Sequence, residues 1–153
     1  MQSEDYLYLT SDESVLFDFN YRYKISLPEF STVMKKGKPI TIFNNLNSFS
    51  EQLQFNPELL LKIISISLSC QCGITKETNE AFLKGCYESE DIIKIICVFV
   101  QKYLLCKSCD KPEVKLSSKK GIIECKCDAC GDEAILEYEG KIYETIEKKL
   151  KIK

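Results

Sequence analysis

Apolar positions along this chain switch between helical and strand spacing, and the switches mark the elements. From Leu59 to Leu68 they are nearly continuous (LLLKIISISL), and Asn56-Pro57-Glu58 ahead of them supplies a cap, a proline for the first helical position and an acid for the first turn. This pattern predicts a helix buried on most sides, the spine of a core. A second helix is predicted where Ile92, Ile96, Phe99, Val100 and Tyr103 recur at helical spacing behind Ser89-Glu90-Asp91. A short third one carries Phe49 and Leu53, with Asn47 and Ser48 as candidate caps.

Between these stretches the alternation is that of strands. Tyr21 to Phe30 alternates as far as Pro28, MKKGKP turns at Gly37, and Ile40, Ile42 and Phe43 read as the returning strand of a hairpin. Short strands near Ile74 and from Ala81 to Leu83 flank a Thr78-Asn79 turn, with Gly85 closing the second. Further on, Val114, Leu116, Ile122 and Ile123 flank a Ser-Ser-Lys-Lys-Gly turn, and Ala134 to Tyr138 gives a third strand. Ile142, Ile146 and Leu150 at i, i+4 and i+8 predict a weakly helical, charged segment to Lys153. The opening residues have aromatics without a period and are expected to be an extended tail that orders only against a partner.

These elements add up to an α+β chain: a small mixed α/β domain with an antiparallel sheet and three helices, followed by a ribbon of strands. The expected organisation is an acidic tail over 1–20, a core domain over 21–104, a ribbon over 105–138 and a charged, helical C-terminal segment over 139–153. A length of 153 residues, with 44% hydrophobic and 29% charged content, suits one modest core with an appendage.

Cysteine changes the picture most. Cys106, Cys109, Cys127 and Cys130 stand as C-x2-C, a 17-residue gap and a second C-x2-C. Two such turns on facing hairpins supply four soft donors in tetrahedral geometry, the signature of a zinc ribbon. Four thiolates leave no open coordination position, so the expected cofactor is one structural Zn2+ that stands in for a core the ribbon is too small to build. A set of buried free thiols, and a redox pair at Cys106 and Cys109, are the alternatives, and the duplicated spacing argues against both. Cys125, two residues before Cys127, could compete as a ligand, but a spare thiol is the favoured reading.

The nine cysteines are odd in number, and the remaining five lack regular spacing, which points to a reducing compartment and a cytoplasmic chain. The first twenty residues carry five acids and no base, unlike a targeting peptide, and no apolar run approaches the length of a bilayer span, so no membrane role is expected. With no histidine, Cys-His and Ser-His nucleophilic catalysis is excluded, and no phosphate-cradling glycine loop is present. The chain is therefore expected not to be an enzyme and to have no small-molecule substrate.

A net charge of −2 hides segregation: residues 21–50 carry five bases against one acid, and 101–127 seven bases against three acids. Lys35, Lys36 and Lys38, and the ribbon lysines including Lys107, Lys119 and Lys120, are either solvated turns or contacts to an RNA backbone. Arg22 is the only arginine in the chain. Its planar guanidinium suits a bidentate phosphate contact or an ordinary carboxylate pair, and the residues alone leave that choice open.

The order YRYK (21–24), GKPITIFNN (37–45), NPELLLKII (56–64), LKG (83–85), YLLCKSCDKPE (103–113) and CKCDACG (125–131) resembles the N-terminal domain of eukaryotic translation initiation factor 5 and its relative, the beta subunit of translation initiation factor 2. The resemblance covers about Asn20 to Leu136, without the helical-repeat domain of factor 5 or the lysine blocks of the eukaryotic beta subunit. It implies a mixed α/β domain plus zinc ribbon that binds the gamma subunit of factor 2, the small ribosomal subunit with its rRNA and, as a further candidate, initiator tRNA during start-codon selection. It also implies that Arg22 promotes GTP hydrolysis by that gamma subunit, with Tyr21, Tyr23 and Lys24 positioning it. The alternatives are a subunit like beta of factor 2, or a non-catalytic, inhibitory factor bound to the ribosome. A transcription-type ribbon on DNA is disfavoured, because the ribbon has no arginine to read base edges.

Overall fold

The computed structural model describes residues 6–10, 22–138 and 140–152. In chain order the elements are β1 (Tyr6–Tyr8), β2 (Lys24–Ser26), β3 (Phe30–Lys35), β4 (Lys38–Phe43), α1 (Leu46–Leu53), α2 (Pro57–Leu68), β5 (Cys72–Ile74), β6 (Ala81–Lys84), α3 (Ser89–Phe99), β7 (Val114–Lys119), β8 (Ile122–Cys127), β9 (Glu133–Ile135) and α4 (Lys141–Ile152). The chain is thus of mixed α and β type with antiparallel sheets, as its patterning implies. It divides into two compact units, Ser26–Ile96 and Met1–Ile25 with Cys97–Lys153. The division falls inside α3, whereas the sequence suggested a boundary after residue 104.

The Ser26–Ile96 unit is built on a four-stranded sheet in the order β3-β4-β6-β5. Its axis is β4, where Ile40, Thr41, Ile42 and Phe43 are all buried, so both faces of this strand are covered. Thr41 is the one polar member: its hydroxyl donates to the Gly85 carbonyl at 2.9 Å and accepts from the Tyr87 amide at 3.2 Å. A hydroxyl satisfied in both roles carries no burial penalty. Phe43 lies 4.5 Å from Phe30 and 5.8 Å from Phe49 between ring centroids, tying β4 to β3 and α1.

In α2, as expected, Asn56 accepts from the Leu59 amide at 3.0 Å and Pro57 opens the helix, while Leu59, Leu60, Leu61, Ile63 and Ile64 are buried. The cap of α1 differs from the Asn47 or Ser48 suggested by the sequence. Asn45 holds that position, but it makes no cap bond with its side chain, which accepts from the Glu29 amide at 2.8 Å and donates to the Leu27 carbonyl at 3.1 Å. The helix start is therefore set by the preceding loop and not by local capping.

The first hairpin also departs from expectation. Its strands are β3 and β4, paired from Phe30 with Phe43 to Lys35 with Lys38, so the outgoing strand is Phe30–Lys35 and not Tyr21 to Phe30. Apart from Phe30, every β3 residue is exposed, and a strand with no buried face has no alternation to read. The two-residue turn is Lys36-Gly37, both at positive φ (51° and 77°), the arrangement that matches strand twist in a tight hairpin.

In the second unit, β7, β8 and β9 form a three-stranded antiparallel ribbon. The tight turn at Lys120-Gly121 repeats the positive-φ pair of the first hairpin (53° and 79°). The last strand is shorter than the predicted Ala134 to Tyr138, although the Leu136 amide still donates to the Ile123 carbonyl at 2.9 Å. One π-helical turn, Val100–Leu104, follows α3, closed by the Leu105 amide on the Val100 carbonyl at 3.0 Å. The C-terminal segment is α4, where Tyr143 and Ile146 are buried. The Tyr143 hydroxyl accepts from the Ile123 amide at 2.9 Å and donates to the Leu136 carbonyl at 3.2 Å. The opening stretch is not wholly a tail: β1 pairs with β2, and Leu7, Tyr8, Leu9 and Thr10 are buried.

Leu60, fully buried in the first turn of α2, should cost about 2–5 kcal/mol on truncation in Leu60→Ala, read as a lowered urea midpoint. Val33→Ala, on the exposed β3, should stay within about 0.5 kcal/mol of the parent. Tyr143→Phe leaves the buried Ile123 amide without its partner and should cost about 1–3 kcal/mol.

Candidate functional site

The four spaced cysteines meet where the π-helical turn ends and where β8 turns into β9. Each pair sits on the same local fold. In the first, the Asp110 amide donates to the Cys106 carbonyl at 2.8 Å and the Cys106 amide to the Lys111 carbonyl at 3.1 Å. In the second, the Gly131 amide donates to the Cys127 carbonyl and the Cys127 amide to the Asp132 carbonyl, both at 2.9 Å. The residue after the second cysteine must take positive φ, and Asp110 (58°) and Gly131 (77°), both tolerant of that region, occupy it.

These two knuckles bring all four sulfurs within 4.8 Å of one another. Cys106 and Cys130 are 3.7 Å apart, and Cys109 and Cys127 3.6 Å. Sulfurs on a tetrahedron with metal bonds of about 2.3 Å lie about 3.8 Å apart, so the spacing fits one ion of zinc's size and ligand preference. The Ser108 amide points at the Cys106 sulfur at 3.4 Å, and the Ser108 hydroxyl bridges the knuckles by donating to Asp132 at 2.6 Å. Such outer contacts fix ligand orientation. Cys125 is not part of the cluster: its thiol donates to the Ala134 carbonyl on the neighbouring strand at 3.4 Å.

The electrostatics suit a cation. Amide donors, that of Cys109 foremost and Ser108 with it, hold the Cys106 thiol down at about 7 against the cost of burial. At Cys109 the Lys111 amide pulls the other way, but burial and the crowding of the neighbouring thiols prevail and push it up to about 12. At Cys130 the Asp132 amide pulls down, but burial and the contacts with Cys106 and Cys127 together prevail, and this thiol too is raised. Four thiols this close cannot all ionise alone, whereas a divalent ion makes the thiolate form favourable.

The other residues singled out in the sequence are scattered. Arg22 is exposed at the entry to β2, its guanidinium carbon 5.6 Å from the centroid of the Tyr23 ring. Tyr23 is half-buried and its hydroxyl donates to Glu113 at 3.0 Å, while the Lys24 ammonium lies 4.7 Å over the Tyr6 ring. Tyr21 lies outside the described residues. Lys35, Lys36 and Lys38 are exposed on the β3–β4 hairpin, Lys119 and Lys120 on the β7–β8 turn, and Lys107 in the first knuckle. Residues not singled out from the sequence also serve the site: Ser108 and Asp132 brace the cysteines, and Asp110 and Glu113 accept bonds from Thr10 (2.6 Å) and Tyr23. Of these only Asp110 carried a local signal, as the residue after a Cys-x-x-Cys pair, where the chain takes positive φ. Among the described residues, no helix is long and apolar enough to cross a membrane.

A family model described as a domain found in initiation factors 2B and 5 matches residues 14–133. The chain is 35% identical over 112 residues to eukaryotic translation initiation factor 5 of Dictyostelium discoideum, covering 72% of this chain and 28% of that protein. It is 31% identical over 113 residues to factor 5 of Caenorhabditis elegans, covering 72% and 26%. It is 28% identical over 111 residues to translation initiation factor 2 subunit beta of Staphylothermus marinus, covering 72% and 76%. The match thus spans about a quarter of the factor 5 relatives. With the ribbon, its four-cysteine cluster and the preceding α/β unit inside the matched span, the chain belongs to the translation initiation factor family that comprises factor 5 and the beta subunit of factor 2.

Proposed function

We propose that this chain works in the factor 5 manner, as a GTPase activator without an active site of its own, acting in the cytoplasmic pre-initiation complex during start-codon selection. Its partners in this reading are the gamma subunit of factor 2 and the small ribosomal subunit with its rRNA. One observation carries the reading: Arg22 is held out to solvent beside a tyrosine whose own hydroxyl is fastened to Glu113. A guanidinium presented from the residue beside an anchored tyrosine can meet the charge that develops on a transferred phosphate, and the backbone that carries it is already positioned by that anchor. The exposed lysines of the two hairpins would add salt-dependent affinity for an RNA backbone without reading its sequence. Initiator tRNA is a further candidate for that backbone.

The family's beta subunits offer a second reading, favoured by one observation: the match covers 76% of the Staphylothermus marinus beta subunit. In that reading the chain is a stoichiometric partner of a gamma subunit, and hydrolysis is indifferent to Arg22. In a reconstituted initiation complex, Arg22→Ala is expected to slow stimulated GTP hydrolysis by about 10²-fold or more while binding is retained, and Arg22→Lys to recover only part of it, because an ammonium lacks the bidentate fork. Equal rates for parent and Arg22→Ala, with stable co-purification of a gamma subunit, would establish the beta-type reading instead.

For the metal, the donor set and sulfur spacing support one structural zinc bound by Cys106, Cys109, Cys127 and Cys130. Bound zinc would cross-link the ribbon. Because the ligands bind as thiolates, and Cys109 and Cys130 are held protonated in the free cluster, uptake must release protons. Affinity should therefore fall on acidification from the alkaline side, where Cys109 and Cys130 already hold protons, and fall more steeply below about 7, where Cys106 takes one as well. Competition with a chromophoric chelator at several pH values measures this. Cys127→Ser should abolish stoichiometric binding, and Cys125→Ser should leave it intact.

A further inference from the structure

We infer that the first cysteine knuckle is a latch for the N-terminal strand pair, so that the order of the segment presenting Arg22 depends on the metal cluster. Two bonds span long sequence separations within the ribbon-bearing unit: Thr10 donates from its hydroxyl to the Asp110 carboxylate at 2.6 Å, and Tyr23 from its hydroxyl to the Glu113 carboxylate at 3.0 Å. One donor follows β1 and the other precedes β2, and the Leu9 amide joins the two by donating to the Tyr23 carbonyl at 2.8 Å. Both acceptors belong to the knuckle and its exit. Asp110 directly follows Cys109 at φ 58°, and the Glu113 carbonyl accepts from the Asp128 amide, between Cys127 and Cys130, at 2.9 Å.

The latch needs both knuckles in register. Thr10 is almost fully buried (1% exposed), so its hydroxyl cannot exchange the carboxylate for water without opening the strand pair. Strands of three residues each, as here, do not hold by pairing alone. What keeps Asp110 and Glu113 in place is the Cys-x-x-Cys loop geometry, and a metal joining the four thiols makes that geometry rigid. Removing the ion lets the two knuckles separate, the carboxylates shift, and the strand pair beside Arg22 loosens. Thr10, Asp110 and Glu113 are then positioning residues: they act on the arginine through Tyr23 and β2. The consequence for hydrolysis rests on the role proposed for Arg22; the latch itself does not.

Hydrogen exchange on the full chain, zinc-loaded and chelated, tests the latch without any activity assay. In the zinc-loaded protein, Thr10→Val and Tyr23→Phe should each raise exchange at the Leu9 and Ile25 amides by about 10- to 100-fold, while exchange at Ile123 and zinc stoichiometry stay at parent values. Thr10→Ser, which keeps the hydroxyl, should restore protection. Chelation of the parent, which needs no variant, should release the same amides. The proposal is overturned if Leu9 stays protected after zinc is removed, if the Thr10→Val and Tyr23→Phe double variant exchanges like the parent, or if Thr10→Ser behaves as Thr10→Val. Indifference of GTP hydrolysis to Arg22 would remove the arginine's role and leave these exchange results standing. A chain that takes up no zinc would overturn the latch's metal dependence and leave the Arg22 assay standing.

Discussion

Two cysteine pairs separated by a strand, a tight turn and a second strand have to converge to within 4.8 Å, and the ribbon has little else to hold it. Every residue of β9 is exposed, and along β8 only Ile123 and Cys127 are buried. A three-stranded sheet with so thin an apolar face cannot offset the entropy of ordering its backbone by burial alone. The thiol cluster closes the end of the ribbon nearest the knuckles. Near Ile123 and Leu136 closure falls to α4, where Tyr143 hydrogen-bonds both residues and Ile146 is fully buried.

That convergence reaches beyond the ribbon. Asp110 and Glu113 are surface carboxylates by residue type, yet in this fold they accept bonds from the hydroxyls of Thr10 and Tyr23, far back in the sequence, which flank a strand pair whose Leu7, Tyr8, Leu9 and Ile25 are buried. The only arginine of the chain lies next to one of these hydroxyl-bearing residues. The four-cysteine cluster and the neighbourhood of that arginine are thus connected by two charge-assisted bonds and one backbone bond.

The Ser26–Ile96 unit needs no such device. Its stability comes from the buried face of α2 and from a central strand covered on both faces, with Thr41 satisfied by the loop that leads to α3. Once β4 is covered in this way, β3 has only its edge role left. It carries exposed Met34 and a lysine turn and is free to differ from an alternating pattern.

Much of the architecture was legible in the residues. The capped helix from Pro57, the helix from Ser89, the two cysteine knuckles and both Lys-Gly turns each rest on interactions within a few positions of one another: a cap, a period, a positive-φ turn, a Cys-x-x-Cys loop. The family, too, could be read from short motifs around those turns. What the residues did not disclose were features whose cause lies far along the chain. β3 has no buried face and so no period; α1 begins where Asn45 is recruited by Leu27 and Glu29; β1 takes its partner from across residues 11–20; and the acceptor of the spare Cys125 thiol is Ala134, on the neighbouring strand. Pairing of that kind is chosen by the tertiary environment, because a hydroxyl or a thiol has the same local propensity whichever distant acceptor it finally meets.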